Sequence, residues 1–293
     1  MISLRVAVAA LLATLTPAVP LAQESVLDRP IEKEGWPVEV TRRPLTLAAG
    51  LLEVSVPLGI GVSRYRSGKP IFLTPSVYYG VSDTFTIGLR HFQGLCLSGG
   101  PDCPKIYADV SVDSLWRVWR GASTDVALGL ALNASPVTDP LALSAEARVV
   151  ARLRGGPVSL TLAPAFEVGL TNRDAAVART EPLAFPLATG TFGFFQTAPG
   201  NREMLRVPAT LAVQATPNFA LAVAISLDGP LDPPAGSYSD FYSIPVGGAL
   251  VLSPRDDVDL GASFTFLNLL GRQTGVLDRT DLRGMQVFVT VRL

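Results

Sequence analysis

DVALGLALNASPVTDPLALSAEARVVARLRGGPVSLTLAPAFEV, residues 125–168, decides how this chain is read. Val126, Leu128, Leu130 and Leu132 alternate with Asp125, Ala127, Gly129, Ala131 and Asn133. Leu141, Leu143, Ala145, Ala147, Val149 and Ala151 then alternate with Ser144, Glu146, Arg148 and Arg152. Val158, Leu160, Leu162, Pro164, Phe166 and Val168 follow, interleaved with Ser159, Thr161 and Glu167. Residues two apart share one face of a strand, so each run presents an uncharged apolar face and a face of small, polar and charged residues. A soluble sandwich alternates as well, but its wet face is rich in Lys and Glu, which are scarce in these strands. On a lipid-facing surface an Arg or Lys at mid-bilayer costs about 2–4 kcal/mol, which accounts for a face free of charge.

The same pattern extends in both directions. Residues 219–227 and 258–266 alternate cleanly; 51–65, 70–80, 84–93, 105–117, 203–214, 241–252 and 283–293 do so less strictly. The expectation is an all-β, antiparallel, up-and-down transmembrane β-barrel of about 12 strands, each near the 9–11 residues a tilted spanning strand requires. VSDT, WRGAS, RGG, TPN and SPRDD mark every second junction with turn-forming residues. The alternate junctions, 94–104, 134–140, 169–202, 228–240 and 267–282, are longer, with RSGKP as the short exception. Short periplasmic turns, long external loops and an even strand count place both termini in the periplasm.

Composition agrees with this reading. Charged residues make up only 17% of the chain and hydrophobic ones 48%, mean hydropathy is +0.36, and no stretch beyond residue 22 is long and apolar enough for a spanning helix. An apolar exported chain without such a helix satisfies its backbone in lipid by closing a barrel. Export is read from residues 1–22: Arg5, the apolar run Val6–Leu15, then Pro17 to Ala22 as the break and cleavage region of a signal peptide. Residues 23–44, charged and punctuated by proline, are expected as a periplasmic tail or partial plug, and 45–293 as the barrel. A net charge of −1 leaves no basic footprint for nucleic acid.

The final strand, MQVFVTVRL, sets Met285, Val287, Val289, Val291 and Leu293 on one face. In this it resembles bacterial outer-membrane β-barrel proteins of the porin-like type, whose last strand serves as the signal for barrel insertion. The family usually ends in an aromatic residue, from which Leu293 departs. The resemblance implies outer-membrane lipid as surroundings and the barrel-assembly machinery as a partner during insertion. Tyr65, Tyr78, Tyr79, Trp116, Trp119, Phe166, Phe241 and Tyr242 suit interfacial aromatic girdles.

The ionisable residues in phase with the inner face are Glu53, Asp109, Asp113, Asp125, Glu146, Arg148, Glu167 and Arg206. They are expected to line the lumen, as a salt-bridge network filling it or as an acid-leaning pathway for small polar or cationic solutes. Cys96 and Cys103, in CLSGGPDC, read as a disulfide closing a small loop. His91, the single histidine, falls on the outer face near the external rim, the region where outer-membrane lipid hydrolases carry a His–Ser pair. Here the stretch is LRHFQGL, with Gln93 where the hydroxyl is needed. No cofactor and no metal are expected. Residues 171–202 exceed an ordinary turn and read as an inward constriction, an external hairpin, a partner-binding loop or an extra strand pair that would make fourteen. The leading expectation is a channel passing a small polar solute; a closed structural or adhesion barrel and a lipid-modifying enzyme are the alternatives.

Overall fold

The computed structural model describes residues 32–62, 68, 70–98, 107–137, 141–174, 200–231, 242–266, 269 and 283–293, with the backbone of four short strands between 177 and 198. The expected signal peptide, residues 1–22, lies outside the described residues, as do Tyr65, Cys103 and Phe241.

Alternating sequence becomes a ladder of twelve crossings. β1 is Leu52–Gly61, β2 comprises Ile71–Leu73 and Ser76–Ser82, and β3 is Phe85–Arg90 with a short continuation at Leu95–Cys96. β4 is Val110–Arg120, β5 Thr124–Ala134 and β6 Leu143–Gly155. β7 comprises Val158–Leu162 and Ala165–Gly169, β8 Met204–Arg206 and Ala209–Thr216, and β9 Phe219–Ile225 and Asp228–Pro230. β10 is Val246–Arg255, β11 Val258–Phe266 and β12 Arg283–Arg292. The breaks in β2, β7 and β8 contain Pro75, Pro164 and Pro208, which have no N–H to give to a ladder.

Each strand pairs antiparallel with its chain neighbours, and β1 also pairs with β12, from Glu53↔Arg292 to Gly61↔Gly284. Leu52 and Leu293 exchange backbone hydrogen bonds of 3.0 and 2.8 Å across this seam. The sheet therefore closes and has no free edge. Exposure follows the period of two. On β5, Leu128, Leu130 and Leu132 face outward and are exposed, while Ala127, Ala131 and Asn133 face inward and are buried. Where a hydroxyl does face outward it is satisfied locally: Ser114 donates to the Leu130 carbonyl at 3.0 Å.

Two strands are displaced from their expected bounds. β4 begins at Val110 because the Asp109 carboxylate accepts the N–H groups of Phe92 and Gln93 (2.5 and 2.7 Å) in place of strand pairing. β10 starts at Val246, after Pro245. A bulge between Arg117 and Trp119 keeps both Trp116 and Trp119 on the outer face. Tyr79 and Phe166 also face outward, but Tyr78 does not belong to a girdle. It is buried inside the barrel and donates to Asp113 at 3.0 Å.

The described strands of the segment 171–202 are not part of the wall. Val177–Thr180 pairs with Phe195–Ala198, and Leu183–Ala184 with Thr191–Phe192, in two sheets separate from the barrel. The strand number is twelve rather than fourteen. The backbone of Leu183–Ala184 comes within 8 Å of β8 and β9, so this hairpin lies against the barrel wall.

Residues 36–48 run inside the end of the barrel that carries the short turns. A 3-10 turn at Val40–Arg42 packs Val40 among Ala212, Ala220, Ala222, Ala224, Val251 and Phe288. Leu45 packs among Leu115, Ala127, Val150 and Ala163. Thr46 donates to the Asp83 carbonyl at 2.7 Å, and the Leu47 N–H to the Thr86 hydroxyl at 2.9 Å. A short apolar segment can sit here because the facing strands turn alanines inward.

Candidate functional site

The interior carries the ionisable residues, in two groups. The first lies towards the long-loop end, on β3 to β8. Arg148 of β6 donates to both oxygens of Asp113 on β4, at 2.7 and 2.8 Å, and to Glu146 at 2.9 Å. To reach Asp113 it must lie across β5, where its register partner is Gly129. A Cβ at Gly129 would come within 2.6 Å of Arg148 Nε, so the missing side chain is what lets the guanidinium cross. Arg90 donates to Glu146 Oε2 at 3.1 Å, and Arg206 to the same oxygen at 2.5 Å and to Glu167 Oε2 at 3.1 Å. The other Glu167 oxygen accepts from Ser144 and from Asn133 (3.1 Å). Asn133 Oδ1 in turn accepts from Ser111 at 2.5 Å.

The second group closes the short-turn end. Arg43 forms a two-pronged pair with Asp259 (2.6 and 2.8 Å) and donates to Ser253 at 3.1 Å. Arg292 bridges Asp259 at 2.6 Å and Glu53 at 2.8 Å. Arg152 donates to the Thr161 hydroxyl (3.1 Å) and the Arg43 carbonyl (2.7 Å), and Arg154 pairs with Asp125. Burial pulls the Arg43 guanidinium below the ordinary arginine range, with neighbouring Arg292 adding to this and Asp259 opposing it. Removing one partner of a buried, hydrogen-bonded charge pair costs roughly 3–5 kcal/mol, so both groups fix the geometry around them.

The lumen candidates named from the sequence face inward, all of them buried except the part-exposed Arg148, but their company differs from the acid-leaning pathway expected. Glu53, Asp113, Asp125, Glu146 and Glu167 are met by arginines: Arg90, Arg154 and Arg292 besides Arg148 and Arg206. The signal for the added arginines was the same inward phase that picked out the acids. Asp109 plays a local part, bonding the backbone around Phe92 to Gly94. Burial raises its carboxyl above the usual range, against those same backbone bonds. Among the exposed loop residues, the Arg173 hydrogen bond holds Glu203 below the ordinary carboxylate range.

His91 is held at the rim by the Pro75 carbonyl on Nδ1 (2.6 Å) and the Tyr107 hydroxyl on Nε2 (2.9 Å). With Nδ1 donating, Nε2 accepts from Tyr107, and both ring nitrogens are engaged without a serine. Cys96 is buried beside β2, and the expected pairing with Cys103 falls outside the described residues. Among the described residues no His, Cys, Asp and Glu grouping has the arrangement of a metal site.

A closed antiparallel wall, apolar outside and ionic inside, defines a transmembrane β-barrel with the fold of outer-membrane porins and channels. No protein-family model matches the chain, and no curated protein does. Among solved structures it is similar to the NanC porin, at 11% identity and TM-score 0.53, covering 83% of this chain and all of that one. The KdgM porin, solved in complex with disordered oligogalacturonate, superposes at TM-score 0.50 and 5% identity over 82% of this chain and 98% of its own. The COG4313 outer membrane channel from Pseudomonas putida F1 does so at TM-score 0.50 and 9% identity, over 85% and 97%.

Proposed function

We propose that this protein is a bacterial outer-membrane channel for small polar solutes, and that the arrangement described here is its closed state. The observation that carries this reading is the Trp36–Ala48 segment. It fills the short-turn end as a separate length of chain, attached through polar bonds centred on Arg43 and Asp259. The Leu183–Ala184 hairpin, whose backbone comes within 8 Å of β8 and β9, acts on this reading as an inward constriction. On this reading residues 1–22 are a cleaved signal, both termini are periplasmic, and the barrel-assembly machinery inserts the chain. Cys96 and Cys103 then form a disulfide that closes an external loop. The protein acts without a cofactor and is not an enzyme.

The burial of the named lumenal charges other than Arg148 favours a second reading, a closed barrel that works through its external loops. Planar-bilayer recording separates the two. The intact protein should give rare conductance steps, and a variant lacking residues 23–44 frequent ones. If both fold and neither conducts, the channel reading fails and the closed barrel stands.

A further inference from the structure

We propose that the short-turn mouth of the barrel holds a small oxyanion against Arg117. Arg117 lies on the inner face of β4 at 2% exposure, and none of its three guanidinium nitrogens has a hydrogen-bond partner. The other interior arginines are engaged: Arg43, Arg90, Arg148, Arg206 and Arg292 bond carboxylates, and Arg154 pairs with Asp125. A buried donor left unmade costs about 1–3 kcal/mol, and more when charged. A guanidinium presents five N–H groups in a rigid planar fork, which matches the oxygens of a phosphate or carboxylate in two-pronged fashion.

The surroundings favour an anion over an intramolecular partner. Asp83 and Asp125 act on Arg117 electrostatically, as do Arg120 and Arg154, yet neither carboxylate bonds to it. Asp125 is bound to Arg154 through Oδ2, and its buried Oδ1 makes no bond to Arg117 or to any other group. Arg152 is a second buried cation whose bonds go only to a hydroxyl and a carbonyl, so positive charge here exceeds what contacts neutralise. There is also room. Ala127 stands opposite Arg117 in the register, and Val150 opposite Ala127. Leu45 belongs to the same buried apolar cluster as both. A small anion entering from the short-turn end meets the fork there.

The test uses the full mature chain, purified in detergent, titrated with inorganic phosphate and followed by calorimetry and by the arginine Nε–H resonances. The expected result is one saturable site that shifts an arginine resonance absent from Arg117→Gln. Phosphate affinity in that variant should fall at least about tenfold, a loss smaller than one charge-assisted hydrogen bond can supply. Arg117→Gln breaks no bond of the fold, and its retained Arg43 and Arg292 resonances report that the barrel is intact. Arg255→Gln, an exposed arginine on the β10 turn, should bind as the wild type does. Failure of the wild type to saturate, or equal binding by Arg117→Gln, overturns the proposal. Phosphate binding is read without conduction, so this result and the bilayer result can fail separately.

Discussion

At the scale of single residues, bulk inside the barrel is accommodated by glycine on the adjacent strand. Phe288 of β12 lies in register with Gly261 of β11, and Tyr78 of β2 with Gly88 of β3. A Cβ at Gly261 would fall 2.0 Å from the Phe288 ring, and one at Gly88 2.3 Å from the Tyr78 ring. Each ring thus folds flat over its neighbour, and Tyr78 is thereby aimed at Asp113. Gly261→Val should destabilise the barrel by about 1–3 kcal/mol through overpacking, read from urea unfolding in lipid vesicles by tryptophan fluorescence. Adding Phe288→Ala should recover part of the loss, because the two residues are in contact and their effects do not add. Such pairings were not legible in the sequence. Tyr78 and Tyr79 are adjacent and equally suited to an interface, and only the strand's phase after Pro75 sends one inward. The phase of β6 did reveal Glu146 and Arg148, but the bond from Arg148 to Asp113 depends on β5 between them and on Gly129.

At the scale of elements, period-two patterning located all twelve strands because lipid and lumen impose opposite demands on successive residues. Ends were less legible where side chains replace the ladder, as Asp109 does before β4. The segments without a period were least legible. Nothing in EPLAFPLATGTFGFFQTAPG separates a barrel hairpin from one with its own small sheets, since both need the same turn residues. The described strands of this segment pair with one another and not with the barrel sheet, and that has a testable consequence. Replacing residues 177–198 by a short Gly-Ser linker should leave the barrel folded, shown by unchanged heat-modifiable mobility on gels and unchanged β-sheet circular dichroism. If the hairpin instead supplied strands to the wall, its removal would abolish both.

At the scale of the whole molecule, the decisive property is an inversion: the apolar surface is outside and the ionic one is sealed within. Val223 at 59% exposure and Leu130 at 64% would be a liability in water, where a large contiguous apolar patch drives association. In a bilayer the same surface is the solvent-matched one. A charge placed on it therefore distinguishes a membrane barrel from a soluble sandwich with the same alternation. Leu130 sits near the middle of β5, so Leu130→Arg should cost about 2–4 kcal/mol when the protein is equilibrated between folded-in-vesicle and denatured states. Val81→Arg, beside the turn between β2 and β3, should cost much less, because the penalty falls to about 0–1 kcal/mol near the interface. A soluble sandwich has no such depth profile, and the two substitutions would then be near equal and small. Guanidinium titrations of both variants in vesicles, compared with the wild type, decide between these outcomes through the difference between the two sites rather than through either value alone.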